Sequence, residues 1–498
     1  MIQKHGWLYR ALILGTLLLF ISLCYSQLCP VAQSVGPPTQ PGGHVYYVAP
    51  WGNDANPGTF PLPWRTIQHA ANTVLPGDAV YVREGTYEEQ IIFSHSGAGG
   101  NYLLLAAYPR EKVVVRGSIT LSPDVAYVQI RGLTLRDYPV WGVSLMGDNH
   151  HIVLANMDIG GGEAGIHFTA GYSGELPLYG PVEDVLVKSS VIHDTRFTAV
   201  DCTPGPCRRM VFRRLDVFGA GAGQPSSFSG DGIAVERGSH ILIEDSLIHD
   251  NGGDGIDLNS RDREGNVSGV RVQRNRIFRN RMQGVKLWAG GEMLSNAVWG
   301  HGINPVNVGV YTGTYRVINN TIAYNMWDPA FSIRDYAFIA GYPEIGKSPV
   351  ITLTLVNNIF AFNTGPDVGT PTGIYLGARV QLTEHHNLYY SREDQEIYAA
   401  FAPQYNGGAF SRQDIADGTW AAVTRQGKGD VTSDPLFVEG WPDTCLALRG
   451  GSPAIDAGSA ADAPPLDVLG HARRSVPDIG CCEFQSTRPP VYLPWLTR

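Results

Sequence analysis

Apolar and polar residues alternate in short runs along most of the chain, and Gly, Asn and Asp break the runs every few residues. That alternation predicts short, half-buried strands joined by tight turns. One phrase recurs: a strand, an apolar anchor, then Asn three residues later. It stands as Ser246-Leu247-Ile248-His249-Asp250-Asn251 and as Asn275-Arg276-Ile277-Phe278-Arg279-Asn280. It returns as Asn320-Thr321-Ile322-Ala323-Tyr324-Asn325 and as Asn358-Ile359-Phe360-Ala361-Phe362-Asn363. Weaker copies centre on Leu135, Ile159, Ile192 and Val217. The anchors from Leu135 to Phe360 are then spaced by 24, 33, 25, 31, 29, 45 and 38 residues.

A repeat of this length, built of strands and turns, predicts an all-β fold, one circuit of a parallel β-helix per repeat. Inward residues would stack coil on coil about 4.8 Å apart. The recurrent Asn fits a turn, where its amide can bond along the axis and its tolerance of the left-handed region helps. An open coil end exposes unpaired backbone and needs a cover. Thr66–Leu75 has helical spacing of apolar residues and predicts a capping helix at the N-terminal end. It leads through Pro76-Gly77-Asp78 into a strand at Ala79–Val82. Around Asp434-Pro435-Leu436-Phe437, Ser452–Gly458 and Asp478-Ile479-Gly480 the chain resembles the closing segment of secreted right-handed β-helix proteins. The expected organisation is a signal peptide at 1–26, a linker at 27–43 and a β-helix domain at 44–393. An insertion at 394–430, the closing segment at 431–486 and a tail at 487–498 follow.

Composition narrows the class. With 59 Gly, 33 Pro and 17% charged residues in 498, the chain is neither a helical bundle nor disordered. A formal net charge of −9 argues against nucleic acid as a partner. Lys4 and Arg10 precede an apolar run from Ala11 to Leu23, the pattern of a secretion signal, so the protein is expected outside the cell, free of the membrane once the signal is cleaved, with an uncleaved anchor at the cell surface as the alternative; a monomer is expected. Cleavage after Ser26 would leave Cys29, Cys202, Cys207, Cys445, Cys481 and Cys482, an even set suited to disulfides. Cys202 and Cys207 flank a short Thr-Pro-Gly-Pro turn, and Cys445 is within reach of Cys481 or Cys482.

Three consecutive repeats carry the candidate chemistry. Asp231-Gly232-Ile233-Ala234-Val235 aligns with Asp254-Gly255-Ile256-Asp257-Leu258 and with Gln283-Gly284-Val285-Lys286-Leu287. If Ile233, Ile256 and Val285 point inward, strand alternation turns Asp257 and Lys286 outward, one above the other. Asp231 and Asp254 then stack at the preceding turn. Three clustered carboxylates repel unless a cation compensates them, and calcium takes six to eight oxygen ligands. Asp250 is close enough in sequence to help. The chain has six lysines among 37 basic residues, so a Lys at position 286 is against its habit. Lys can serve as a base in a way that Arg cannot. Residues 259–291 carry eight Arg or Lys against two acids, and Arg261, Arg263 and Arg281 are the candidate contacts to an acidic polysaccharide.

These motifs resemble family 9 polysaccharide lyases, the calcium-dependent pectate lyases with a right-handed parallel β-helix. The resemblance rests on Ser229-Gly230-Asp231-Gly232-Ile233, Asp254-Gly255-Ile256-Asp257-Leu258, Gly284-Val285-Lys286-Leu287 and the early Tyr47–Asp54 stretch. It covers roughly residues 44–390. It implies Asp231, Asp254 and Asp257 as ligands of one calcium ion, Lys286 as the base, and β-elimination on polygalacturonate. The family has two adjacent aspartates at the second motif; here the first is Gly253, so one carboxylate is missing. A different enzyme class, an inverting glycoside hydrolase, would use the same aspartates as its acid–base pair. Gly300-His301-Gly302 echoes a polygalacturonase motif, although the Asn-Thr-Asp and Arg-Ile-Lys of those enzymes are absent from the sequence. A non-catalytic carbohydrate-binding β-helix is the third reading.

Overall fold

The structure is a computed structural model. It describes residues 42–173, 176–221, 230–259, 267–325, 336–341, 349–363, 373–391, 396–400, 408–438 and 446–486. The expected signal peptide, the linker up to residue 41, Cys445 and the tail lie outside them. Among the described residues no helix is long and apolar enough to cross a membrane.

Strands sort into three long sheets of 14, 13 and 12 described strands, paired in parallel except at the C-terminal edge of one. Each coil adds one strand to each sheet, as Gly238–Glu244, Leu247–His249 and Ile256–Leu258 do in turn. The fold is a parallel β-helix. Its interior is a continuous stack of aliphatic side chains. In the anchor column Leu135, Ile159, Ile192, Val217, Ile248 and Ile277 pair in series and are fully buried. Short β-branched strands suit this surface, since each side chain packs on its counterpart one coil away.

The 45-residue interval of the sequence reading is two coils. Val298 pairs with Ile277 on one side and Ile322 on the other, giving intervals of 21 and 24 residues. The coil is hidden in the sequence because His301 stands where its neighbours carry Asn. The His301 backbone N–H donates to Asn325 Oδ1 at 3.1 Å, and its Nε2 lies 3.1 Å from the Ile277 carbonyl oxygen. The column also continues past both ends of the expected series, through Tyr87 and Val115 before it and Tyr389 after it.

Two amide ladders tie the coils together. Each Nδ2 in Asn275, Asn296, Asn320 and Asn358 donates to the Oδ1 of the next residue, ending at Asn387, at 2.9–3.1 Å. Asn251 donates to Asn280 at 2.8 Å and Asn325 to Asn363 at 2.9 Å in the second ladder. The left-handed conformation falls one residue earlier than expected, on Asp250, Arg279, Tyr324 and Phe362. The bend is made there, and it frees the Asn to turn inward and bond along the axis.

Thr66 caps a helix at Ile67–Thr73, which buries Ile67, Ala70 and Ala71 against the first coil as expected. The C-terminal end differs from the reading. Glu396–Ala400 pairs in parallel with Ile374–Leu376, so this part of 394–430 extends the 13-stranded sheet and is no insertion. Helices Arg412–Ala416 and Thr419–Thr424 follow, with Trp420 buried in the main core. The segment expected to close the end instead lies along a flank. Phe437, Leu448, Ala454, Val468 and Ile479 pack on Phe278, Trp299, Ala323, Ile359 and Leu388, outside the 12-stranded sheet. Cys202 and Cys207 form a disulfide. Cys481 and Cys482 have Sγ atoms 3.5 Å apart.

Candidate active site

The 13-stranded sheet brings the candidate residues together. Ile233 pairs with Ile256 and Ile256 with Val285, while Ala234, Asp257 and Lys286 follow one another in register. The three apolar residues are fully buried, and alternation therefore turns Asp257 and Lys286 to the outer face. One turn earlier the acids are chained through the backbone. The Asp254 N–H donates to Asp231 Oδ1 at 2.7 Å, and the Gln283 N–H donates to Asp254 Oδ1 at 2.8 Å. Each carboxylate thus accepts from the next coil, which fixes the stack.

One oxygen from each of Asp231, Asp254 and Asp257 lies within 4.8 Å of the others. Lys286 Nζ sits 2.5 Å from Asp254 Oδ2 and 3.4 Å from Asp257 Oδ2, and 5.4 Å from the Trp288 ring centroid. Burial pushes the Asp231 carboxyl well up, and the Asp254 and Asp257 charges add to it. Burial raises Asp257 to about 6, with Lys286 opposing and Asp254 reinforcing. For Lys286 burial acts to lower the value, but Asp254, Asp257 and Asp231 outweigh it and hold the ammonium charged. The sequence reading asked for a lysine poised to lose its proton. The three carboxylates act in the opposite direction and favour the charged ammonium.

Gly253 has a local reason. A Cβ there would lie 2.3 Å from Asp231 Oδ1 and 3.0 Å from the Asp231 backbone nitrogen. The place of the missing aspartate is taken by the Asp231 carboxylate itself. The remaining donors are hard oxygens, and Asp257 Oδ1 is buried without a hydrogen-bond partner. This donor set fits a calcium ion. Two further oxygens flank it. Gln283 Oε1 and Asn307 Oδ1 are buried and unpartnered, and Asn307 pairs with Lys286 on the following coil. The sequence signal for Asn307 was Asn304-Pro305-Val306-Asn307-Val308, the next copy of the Gln283–Leu287 motif, masked by the missed coil at Val298.

Other expected residues fall elsewhere. Asp250 does not join the carboxylates. Its oxygens bond Arg279 Nε at 2.7 Å and His249 Nδ1 at 2.6 Å, and these partners keep its carboxyl low against the upward pull of burial. Arg281 lies on the turn before Gln283, its N–H donating to the Asn251 carbonyl at 2.8 Å. Arg261 and Arg263 lie outside the described residues. The basic stretch is no single patch: Arg271 pairs with Glu292, Arg274 with Glu244 and Asp245, and Arg279 with Asp250. His301 is buried in the Asn ladder and is not part of the acidic cluster.

Known proteins share this architecture. A family model for a right-handed β-helix region matches residues 119–322 and 211–380, and one for a Pel9A-like right-handed β-helix region matches residues 46–179. The uncharacterized protein YwoF of Bacillus subtilis (strain 168) is 25% identical over 463 residues, covering 79% of this chain and 89% of that protein. Pectate lyase PEL9 of Emericella nidulans is 36% identical over 73 residues, 14% of this chain and 18% of that one. The crystal structure of pectate lyase Pel9A aligns over 89% of this chain and 96% of its own, at 17% identity and a TM-score of 0.42. The PL6 family polysaccharide lyase Pedsa3628 of Pseudopedobacter saltans aligns over 83% and 96%, at 13% identity and a TM-score of 0.43. The chain belongs to the right-handed β-helix family, and its residues 46–179 match the Pel9A-like region of that fold.

Proposed function

We propose that the protein is a secreted polysaccharide lyase that cleaves polygalacturonate-type uronans by β-elimination. The observation that carries this reading is the meeting of one lysine with three buried-side carboxylates on the outer face of the sheet. The partial match to a pectate lyase supports it. Asp231, Asp254 and Asp257 would hold calcium. Calcium, when bound, draws charge from a uronate carboxylate and so acidifies the proton on the adjoining carbon.

Lys286 takes that C5 proton on Nζ. The C5–H electron pair becomes the C4–C5 double bond, and the C4–O4 bond breaks, its pair leaving on oxygen, which is protonated from water. Asp254 and Asp257 aim the Nζ, and Trp288 borders it on one side. Because those carboxylates hold the ammonium charged, Lys286 can act as a base only when another cation takes up their charge. Activity is therefore expected to vanish with chelator. The inverting hydrolase alternative fits less well. Its two carboxyl groups stand about 6.5–9.5 Å apart to admit water, whereas oxygens of all three acids here lie within 4.8 Å.

The test is growth of ultraviolet absorbance on polygalacturonate with calcium, then with chelator. Calcium-dependent absorbance is the expected result. New reducing ends without absorbance would replace the lyase by a hydrolase, and neither signal on any uronan would leave a binding protein.

A further inference from the structure

The outer face that carries Lys286 continues toward the N-terminus. Counting back from Asp257, the register runs through Ala234 and Asp201 to His167 and then Ser144. Asp201 lies two strand spacings from Asp257 and His167 three, or about 10 and about 14 Å. His167 Nδ1 is 2.9 Å from Asp201 Oδ2, and Thr203 Oγ1 bonds the other Asp201 oxygen. Trp141, in register with Ala164 beside this column, stacks on the imidazole at 4.3 Å between centroids and 10° between planes.

His167 is only 7% exposed, yet Trp141 is 37% exposed and its neighbour Val140 likewise 37%. One indole face lies against the imidazole and the ring keeps open surface beside it, so an aromatic face and an ordered imidazole stand together at the surface. Asp201 accepts from Nδ1 and thereby fixes the ring, while no partner for Nε2 is present among the described residues. Ser144 neighbours His167 on the preceding strand without a hydrogen bond to it, so the imidazole is not set to activate that hydroxyl.

We propose that Trp141, His167 and Asp201 form a sugar-binding subsite for a distal residue of an acidic polysaccharide chain running along the sheet. The indole takes the apolar face of a pyranose ring, and His167 Nε2 takes a ring hydroxyl. The acidic character of the chain rests on the lyase reading above; the aromatic platform does not.

The probes are galacturonate trimers and hexamers, whose binding is measured by calorimetry with chelator present so that nothing turns over. A hexamer reaches from the carboxylates to Trp141 and a trimer does not. Trp141→Ala is expected to weaken hexamer binding about tenfold and leave trimer binding unchanged. Trp141→Phe should restore most of the loss, and both variants should melt near the parent. Equal hexamer affinities, an equal loss for both lengths, or no binding by the parent would overturn the subsite. Turnover separates the two readings. If the parent forms no unsaturated product but hexamer binding still depends on Trp141, the subsite stands and the lyase falls. If product forms while Trp141→Ala leaves KM for long chains unchanged, the lyase stands and the subsite falls.

Discussion

At the scale of single residues, charge and reach decide the outcome. Lys286→Arg keeps a cation against Asp254 and Asp257, so the fold should persist. The guanidinium cannot give up its proton, and turnover should fall by roughly 10²–10⁴. Product formation at the parental rate would remove Lys286 as the base. Lys286→Met differs in kind, because it strands three carboxylates without a counter-charge. A loss of about 3–5 kcal/mol is expected in chemical denaturation without metal. Gly253→Asp restores the residue of the resembled family but drives a Cβ into Asp231 Oδ1. It should lower the melting temperature in chelator and enlarge the rise on adding calcium. The placing of Asp257 beside Lys286 was legible from strand alternation, and the stacking of Asp231 on Asp254 from the repeat at the turn before it. Asp250 was misjudged because proximity in sequence does not report the left-handed bend that turns it toward Arg279.

Elements respond to changes that single contacts do not reveal. In the Asn275–Asn387 ladder each amide both donates and accepts, so Asn320→Ala leaves the Asn296 backbone N–H and one Asn296 amide hydrogen buried without acceptors, while Asn358 Oδ1 keeps the backbone N–H of residue 320. Each orphan costs about 1–3 kcal/mol, and equilibrium unfolding should register the sum. Rings stack face to face along the outside of the 12-stranded sheet, from His193 through Phe218, His249 and Phe278 to Trp299. Asp158 raises the His193 pKa, with burial opposing it, so this contact is fully present below about 6.5 and is lost as pH climbs through the raised value. His301 acts with the opposite sign. Burial lowers it to about 4, so its stabilising effect is complete above about 6.5 and is lost as pH falls toward that value. Melting temperature against pH should therefore decline on both sides. Mutation His193→Gln should flatten the alkaline limb and His301→Asn the acid limb. Survival of activity in His301→Asn would also separate this histidine from the chemistry.

For the whole molecule, the repeat and its N-terminal cap were readable and the C-terminal end was not. The spacing of Ile248, Ile277, Ile322 and Phe360 disclosed the coil, since inward positions must stay apolar whatever the loops do. The count failed at Val298 because one histidine replaced one asparagine. The C-terminal part failed for a different reason. Glu396–Ala400 is identified as a strand by its partner Ile374–Leu376, a relation no local pattern records. Residues 446–486 cover a flank with scattered apolar side chains rather than a periodic face. A chain ending at residue 430 would leave Trp299, Ala323, Ile359 and Leu388 bare. It is expected to aggregate at room temperature, as light scattering would show.

Intervals between successive anchors range from 20 to 38 residues, yet neighbouring strands never lose step in the anchor column. All of that variation is spent in the turns. The stack works as a vernier: chain length is absorbed at the rim while the graduations on the sheet stay fixed. On the lyase reading, a segment swapped into one rim is expected to alter which glycan is admitted and to leave the spacing of Asp257 from Lys286 untouched. Deleting one residue inside Ile256–Leu258 would do the reverse, turning Asp257 inward against a rim that still recognises its ligand.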